Sequence, residues 1–202
     1  MKELVLIAHL AITSFLLANS PSASEYKSDL FIQNKDLNIL KINKSTPTIV
    51  ELIDGVEDGC WTNIQQVKTE IEFVLNESGF SITDSRDDVL SQFMQFNVLG
   101  YKTSNGLCVV SYRLAFYTFD FQERIYSGHR VQNLKTAVVW RQNGVSSGPG
   151  PLNDSLGTTA ANMTKKFVID LRKSKDSLIS TISEEARENN LPEAAHFWAT
   201  FE

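Results

Sequence analysis

The stretch VLSQFMQFNVLGYKTSNGLCVVSYRLAFYTFDF, residues 89–121, alternates apolar and polar side chains on both sides of a short Gly-containing turn. Alternation with a period of two is typical of β-strands that bury one face. The stretch therefore predicts two long antiparallel strands, Val89–Thr103 and Leu107–Phe121. We expect this hairpin to form the centre of a sheet.

The alternation also predicts which residues of the two strands face each other. A two-residue loop would set each apolar face beside a mixed one, whereas a three-residue loop at 104–106 collects both apolar sets on one face. The longer loop also places Gly106 where the backbone needs a positive φ. The expected pairs are Val98 with Tyr112, Phe96 with Leu114, and Met94 with Phe116.

The opposite face of the same hairpin is expected to carry an aromatic cluster at one end. The register sets Phe93 opposite Tyr117, with Phe119 and Phe121 further along the second strand. An apolar cluster on a sheet face without helices should be covered. Three alternatives remain for what covers this cluster: the chain's own N-terminal arm or C-terminal tail, a protein partner or second copy, or a ligand in a groove. These four aromatic residues are the candidate interaction surface.

Two main helices are predicted, one on each side of the hairpin in the sequence. The first has an apolar stripe at helical spacing, a cap at Thr62 or Asn63, and Gly79 at its end. Asn153 is expected to cap the second, which follows a Gly/Pro/Ser loop at 144–151. A more polar helix should follow over about 176–189, until Pro192. The stripe of the first helix consists of Ile64, Val67, Ile71, Val74 and Leu75.

Shorter apolar segments complete the prediction of the fold. Thr48–Ile53, Phe80–Thr83 and Leu134–Arg141 are expected to be strands. Helices packed on one face of an antiparallel sheet are the natural arrangement for this order of elements. We therefore predict an α+β fold, in which an antiparallel sheet has a long central hairpin and two main helices on one face.

The chain contains only two cysteines, Cys60 and Cys108. Cys60 lies just before the first predicted helix, and Cys108 points to the sheet face that this helix should cover. In an exported chain, a lone pair of cysteines favours a disulfide over a redox or metal site. The sequence therefore predicts a Cys60–Cys108 disulfide.

The first residues indicate export. Met1–Ser24 has one lysine, an apolar stretch at Leu4–Leu17 and then small residues, which is typical of a cleaved signal peptide. A membrane anchor or a buried helix are the alternatives, but the apolar stretch is shorter than the roughly 20 residues of a membrane span. We expect a signal peptide at 1–24, a polar arm at 25–45, and a single α+β domain with a helical C-terminal extension at 46–202. The expected location is periplasmic or secreted.

The net charge of −5 and the scattered basic residues argue against a nucleic-acid partner. No second stretch is apolar enough to predict a membrane span after cleavage of the signal peptide. The predicted partner is therefore another protein of the envelope, with a homodimer as a further option.

The sequence offers little that could carry catalysis. His129 and His196 are the histidines that remain after signal cleavage, and neither belongs to a metal-binding pattern. His129 lies in a predicted loop near Ser127 and Glu123, but no motif supports a catalytic set. Gly148–Pro151 lacks the spacing of a phosphate-binding loop. We predict no catalytic site, no metal and no cofactor.

The stretch Thr48–Leu171 resembles small α+β domains of bacterial envelope proteins: the amino-terminal domain of TolB and the LptE and CsgG groups. The residues that carry the resemblance are Gly59–Asn63 at the start of the first helix, Ser78-Gly79 at its end, Val138-Val139-Trp140, and Asn162–Phe167. The chain lacks the lipid-anchored cysteine of the LptE and CsgG groups and the propeller that follows the TolB domain. The resemblance implies an accessory or assembly role in the envelope.

The expected function is that of a non-catalytic, exported envelope protein that acts through protein–protein contacts. The alternative is a small-ligand binder or a hydrolase-type enzyme with a site near His129. His129 in a deep pocket beside a carboxylate would favour the alternative, and exposed aromatic side chains on a flat sheet face would favour the protein-contact function.

Overall fold

A computed structural model describes residues 37–85, 91–127 and 129–199 of the chain. A 3₁₀ turn, Leu37–Lys41, precedes the first strand. The strands are β1 (Thr48–Val56), β2 (Gln92–Lys102), β3 (Leu107–Tyr126) and β4 (His129–Pro149), and the helices are α1 (Ile64–Glu77), α2 (Asn153–Glu188) and α3 (Pro192–Ala199). The predicted signal peptide and most of the predicted arm lie outside the described residues.

The central hairpin has the predicted register. Val98 pairs with Tyr112, Phe96 with Leu114, and Met94 with Phe116. Gly106 has a φ of 85°, as the three-residue loop requires. The period of two determines this register because a shift by one residue would expose one of the two apolar faces.

The sheet is mixed, with the strand order β1-β2-β3-β4. The α+β class, the central hairpin and two main helices are confirmed, but β1 runs parallel to β2 and so the sheet is not purely antiparallel. Parallel neighbours need a crossover connection, and α1 provides it. Phe80–Thr83, predicted as a strand, contributes only a single bridge between Ile82 and Thr48.

The pair β3–β4 is longer than predicted. β3 continues to Tyr126, and β4 begins at His129 and ends at Pro149. Residues 129–130 and 144–149, which were expected in loops, therefore belong to β4, while Ser127 lies in a turn as expected. Gly144 lies in the strand opposite Tyr112, and Ser127 forms the turn with a φ of 50°. Pairing with β3 overrides the low strand propensity of the Gly- and Ser-containing part of β4.

The helices agree with their predicted starts more closely than with their predicted ends. Asn63 caps α1 by accepting a hydrogen bond from the Gln66 amide at 3.3 Å, and Gly79 has a φ of 85° beyond its end. α2 runs through 36 residues without the break expected near residue 175. Pro192 is the first residue of α3, where its missing N–H costs nothing.

The core lies between the sheet and the two main helices. The ring of Phe116 in β3 stacks on that of Phe167 in α2, with 4.6 Å between the ring centroids. The Cys60–Cys108 disulfide joins the start of α1 to β3 and is fully buried. Asn153 does not cap α2 as predicted. Its side-chain Oδ1 accepts hydrogen bonds from the backbone amides of Thr62 and Asn63, which links the starts of both helices.

The described part of the N-terminal arm packs against the domain. Ile42 is 1% exposed. The buried side chain of Gln92, at the start of β2, donates to the carbonyl oxygens of Asn43 at 2.7 Å and Thr46 at 3.2 Å, and accepts from the Asn43 amide at 3.2 Å. These bonds hold the segment before β1 to the sheet. Residues 25–36 of the arm and the end of the tail lie outside the described residues.

Candidate interaction surface

The sheet face opposite the two main helices is called the outer face here. It carries the residues that alternate with the core positions of each strand. Phe93 pairs with Tyr117, as predicted, and the rings of Phe93 and Phe119 meet edge to face with centroids 5.7 Å apart. All three side chains are half-buried. Phe121 pairs with Leu134 in β4, and the side chain of Phe121 is outside the described part of the structure.

Beyond Thr118, β3 and β4 form a two-stranded ribbon, consisting of Phe119–Tyr126 and His129–Thr136. Among the described residues, no third strand flanks the ribbon, because the β2–β3 pairing begins at Phe93 and Tyr117. The described side chains beyond Gln122 in β3, and those of β4 up to Thr136, are exposed. A two-stranded hairpin that packs against nothing else is only marginally stable in water.

The outer face of the ribbon and the adjoining Val138 carry exposed apolar side chains, although the polar pair Glu123/Gln132 lies between Leu134 and Ile125. Ile125 is 71% exposed, and Val138 and Leu134 are 46% and 39% exposed. Their strand positions continue the row that begins with Phe93 and Tyr117. On the opposite face, Arg124 lies beside Val131. The outer face therefore offers apolar contact at Leu134 and Ile125, with the Glu123–Arg130 ion pair beside them.

A groove of about 660 Å³ lies on the outer face at the other end of the sheet. Asn97, Arg113 and Asn143 form its polar floor, and the exposed side chains of Leu99 and Val145 lie at its edge. Asn97 donates to Gln95 Oε1 at 3.1 Å, while the buried Asn97 Oδ1 has no hydrogen-bond partner among the described residues.

The alternative site near His129 is not assembled by the fold. His129 is exposed and lies at the end of the ribbon, where it pairs with Tyr126. The Glu123 carboxylate forms an ion pair with Arg130 at 3.1 Å, and its strand position belongs to the outer face, opposite to that of His129. A catalytic set needs an orienting carboxylate and a shielded position for the reacting group. His129, Ser127 and Glu123 do not meet these conditions.

The ribbon itself was missed by the sequence analysis, although a signal for it exists. Ser127-Gly128 is a turn dipeptide, and Arg124–Tyr126 and Arg130–Leu134 on either side of it contain strand-forming residues. The polar positions of a two-stranded ribbon weaken the alternation, because neither face is buried in the core. Leu134–Arg141 is predicted as a strand from sequence, whereas the pairing with β3 identifies residues 129–133 as the start of the same strand.

No group of three or more His, Cys, Asp or Glu side chains in the described part of the chain is arranged to hold a metal ion. Among the described helices, none has both the length and the apolar character to cross a membrane.

The chain matches no family model and no curated protein. Solved structures that are similar to it include the PelC dodecamer from Paraburkholderia phytofirmans, at 17% identity over 62% of this chain and 87% of that one, with a TM-score of 0.36. Another is a minor lipoprotein from Acinetobacter baumannii, at 12% identity over 62% and 92% of the two chains, with a TM-score of 0.29. These likenesses are too remote to indicate a function.

Proposed function

We propose that this chain is an exported, non-catalytic protein of the bacterial envelope that acts by holding a partner protein on the outer face of its ribbon. The observation that carries the proposal is the row of exposed apolar side chains on that face, Val138, Leu134 and Ile125, with the polar residues Glu123, Gln132 and Arg130 beside them. Exposed apolar side chains rimmed by polar residues mark interaction sites in soluble proteins.

The aromatic side chains next to the row support the same use. Phe93, Tyr117 and Phe119 are half-buried and packed together, so their side chains are held in place beside the exposed row. Interfaces take most of their binding free energy from a few aromatic and large apolar anchors. A partner that covers the ribbon would bury these anchors together with Ile125 and Leu134.

The extracytoplasmic location is argued from the disulfide and from the first 24 residues. The cysteines are fully buried and their Cα atoms are 5.5 Å apart, which suits a structural bond. Such bonds persist in oxidising compartments, and the sequence of Met1–Ser24 has the pattern of an export signal. The proposal places the mature protein in the periplasm or outside the cell.

Site-specific crosslinking in intact envelopes tests the proposal. A photoreactive residue at position 125 on the outer face should give a discrete adduct, while one at position 131 on the opposite face of the ribbon should give none. The two positions are matched because both are exposed and belong to the same ribbon. An adduct that contains only peptides of this chain would identify the partner as a second copy. Absence of an adduct at position 125, or equal adducts at both positions, would contradict the proposal.

A variant pair tests whether the apolar row supplies the affinity. With the photoreactive residue moved to position 136, the double change Ile125→Ser and Leu134→Ser should lower the adduct yield about tenfold or more, because truncation of an interface anchor costs about 2 kcal/mol. Val131→Ser is the control, since it removes an exposed apolar side chain from the opposite face. Equal yields from the two variants would show that the row does not bind the partner.

A further inference from the structure

A second groove lies on the helix side of the molecule, between the segment before β1 and the middle of α2. Its volume is about 630 Å³, within the roughly 300–1,000 Å³ of ligand clefts. Leu40, Ile42, Val168 and Leu171 form an apolar wall. The groove lies on the helix side of the sheet, whereas the exposed row lies on the outer face, and none of the groove's lining residues belongs to the ribbon. The groove is therefore independent of the proposed partner site.

Three cationic side chains, Lys44, Arg172 and Lys175, line the same groove together with one carboxylate, Asp176. Lys175 is half-buried, and its Nζ donates to the carbonyl oxygen of Ile42 at 2.6 Å. Lys44 donates to the carbonyl oxygen of Ser78 at 2.7 Å. Among the described residues, no carboxylate lies within ion-pair distance of Lys175 or Arg172. Positive charge therefore exceeds negative charge around the groove.

The environment of Lys175 is unfavourable for its own charge. Burial lowers the pKa of Lys175 below its ordinary value of 10.5, and the positive charge of Lys44 lowers this pKa further. A lysine ammonium has three N–H donors, and the Ile42 carbonyl takes only one of them. An anion in the groove would accept the remaining hydrogen bonds and would offset the repulsion between the two lysines.

We propose that this groove binds an amphiphilic anion, whose head is held by Lys175 with Arg172 and Lys44 and whose hydrocarbon tail lies along the apolar wall. A carboxylate and a phosphate head both fit this chemistry, so a free fatty acid and a lipid phosphate are the two sources. The cations select for negative charge, and the apolar wall selects for a tail.

Titration calorimetry of the mature, disulfide-bonded protein tests the proposal with four probes. Dodecanoate and dodecyl phosphate should bind, and the tighter of the two identifies the source of the ligand. Dodecanol lacks the charge and acetate lacks the tail, so each should bind at least tenfold more weakly than the better anion. On binding, the methyl resonances of Ile42 and Val168 should shift, because these side chains lie beside the groove.

Charge-removing variants locate the binding. Lys175→Gln should weaken the better anion about tenfold or more. Arg172→Gln should weaken binding of the better anion severalfold. The substitution should leave the fold intact because Arg172 is exposed. Lys173→Gln is the matched control, since Lys173 is an exposed cation on the same helix outside the groove. Wild-type affinity in both groove variants, equal binding of dodecanol and dodecanoate, or methyl shifts confined to other regions would overturn the proposal. Absence of binding by either anion would overturn it as well.

Discussion

Gly100 and Gly144 occupy positions where a side chain would meet a neighbouring strand, but their obstacles differ in kind. A Cβ atom at Gly100 would lie 2.5 Å from the carbonyl oxygen of Val109 and 2.9 Å from the Cα atom of Val110, which are backbone atoms of β3. A Cβ atom at Gly144 would instead overlap the ring of Tyr112. A ring can move or be removed, whereas a paired strand cannot move without losing its hydrogen bonds.

This difference predicts that removing the Tyr112 ring will relieve the cost of an alanine at Gly144 but not at Gly100. Gly100→Ala and Gly144→Ala should each lower the free energy of unfolding by about 1–3 kcal/mol, as overpacking does. In a Tyr112→Ala background, the cost of Gly144→Ala should fall by about 1 kcal/mol or more, while that of Gly100→Ala should stay the same. Urea denaturation of the single and double variants measures these costs. An unchanged cost of Gly144→Ala in that background would contradict the assignment of the clash to Tyr112.

Asp170 in α2 links the helix to β4 and should make stability depend on pH. Lys166 and the indole N–H of Trp140 both donate to its Oδ2, the latter at 3.1 Å, and these hydrogen bonds lower the pKa of Asp170 below its ordinary 3.8. Since the pKa is lowered in the folded state, the contribution is present above about pH 4 and is lost as the pH falls through the folded-state value.

The expected outcome is that wild type is more stable than Asp170→Asn at pH 6 and that this advantage shrinks as the pH is lowered to 3. Trp140→Phe removes one donor, so it should raise the pKa of Asp170 towards its ordinary value and reduce the advantage. Urea denaturation at a series of pH values, with the indole N–H resonance of Trp140 as a local probe, measures both effects. An advantage that is constant from pH 6 to pH 3 would show that this carboxylate does not titrate with folding.

At the scale of elements, the disulfide between the start of α1 and β3 is the main covalent constraint. It closes a sequence separation of 48 residues, for which the chain-entropy treatment gives a stabilisation of about 4 kcal/mol. Replacing both cysteines with alanine should lower the free energy of unfolding by about this amount or somewhat more, because the loss of two buried sulfur atoms also leaves a cavity. Thermal and urea unfolding of the double variant against the oxidised protein measure the difference.

Thiol titration of the protein from its native compartment gives the matching chemical test. Unfolded without reductant, it should show no free thiol, and after reduction it should show two. Two free thiols before reduction would mean that the bond does not form where the protein resides. That result would also remove the support that the disulfide gives to an extracytoplasmic location.

The central hairpin could be predicted from sequence because its register follows from side-chain alternation within about thirty residues. The direction of β1 could not, because no local pattern distinguishes a parallel from an antiparallel neighbour; the crossover through α1 decides it. Residues 144–149 at the end of β4 are predicted as a loop because Gly144, Ser146 and Gly148 have low strand propensity, and pairing with β3 overrides that propensity. α2 continues through residues 172–176 because this polar stretch contains no glycine or proline to end it.

The candidate surface was predicted in part for the same reason. Phe93 and Tyr117 follow from the register of the hairpin, and their pairing is confirmed. The exposed row on the ribbon depends on where β4 begins, which is a long-range property of the chain. The groove between the arm and α2 could not be predicted at all, because Lys44 and Lys175 are far apart in sequence and meet only through tertiary packing.

At the scale of the molecule, the residues that stabilise the fold and those of the proposed contact surface lie in different parts of the structure. The core residues and the disulfide lie between the sheet and the helices, whereas the described residues from Glu123 to Gln132 are all exposed. Exposed residues outside caps and tight turns contribute little to the free energy of unfolding. The outer part of the ribbon should therefore be separable from the folded domain.

Shortening the ribbon tests this separation. Residues Glu123–Gln132 are replaced by an Asn-Gly turn that joins Gln122 to Asn133, which are paired in the intact protein. Asn-Gly suits a two-residue hairpin loop, so the remaining strands keep their register. The free energy of unfolding should change by no more than about 0.5 kcal/mol, and the disulfide should still form. The adduct obtained at position 136 should nevertheless be lost or strongly reduced, because Ile125 is absent.

The shortened protein and the Ile125→Ser, Leu134→Ser variant should agree, since both remove apolar contact while leaving Phe93 and Phe119 packed together. If shortening instead lowers the free energy of unfolding by more than about 2 kcal/mol, the ribbon belongs to the folded core, because a loss of that size requires buried contacts or a broken buried network. If stability and adduct yield both stay unchanged, the ribbon is neither a structural part nor the contact surface. The partner would then have to bind elsewhere, and the groove formed by Asn97, Arg113 and Val145 would be the next surface on the same face to test.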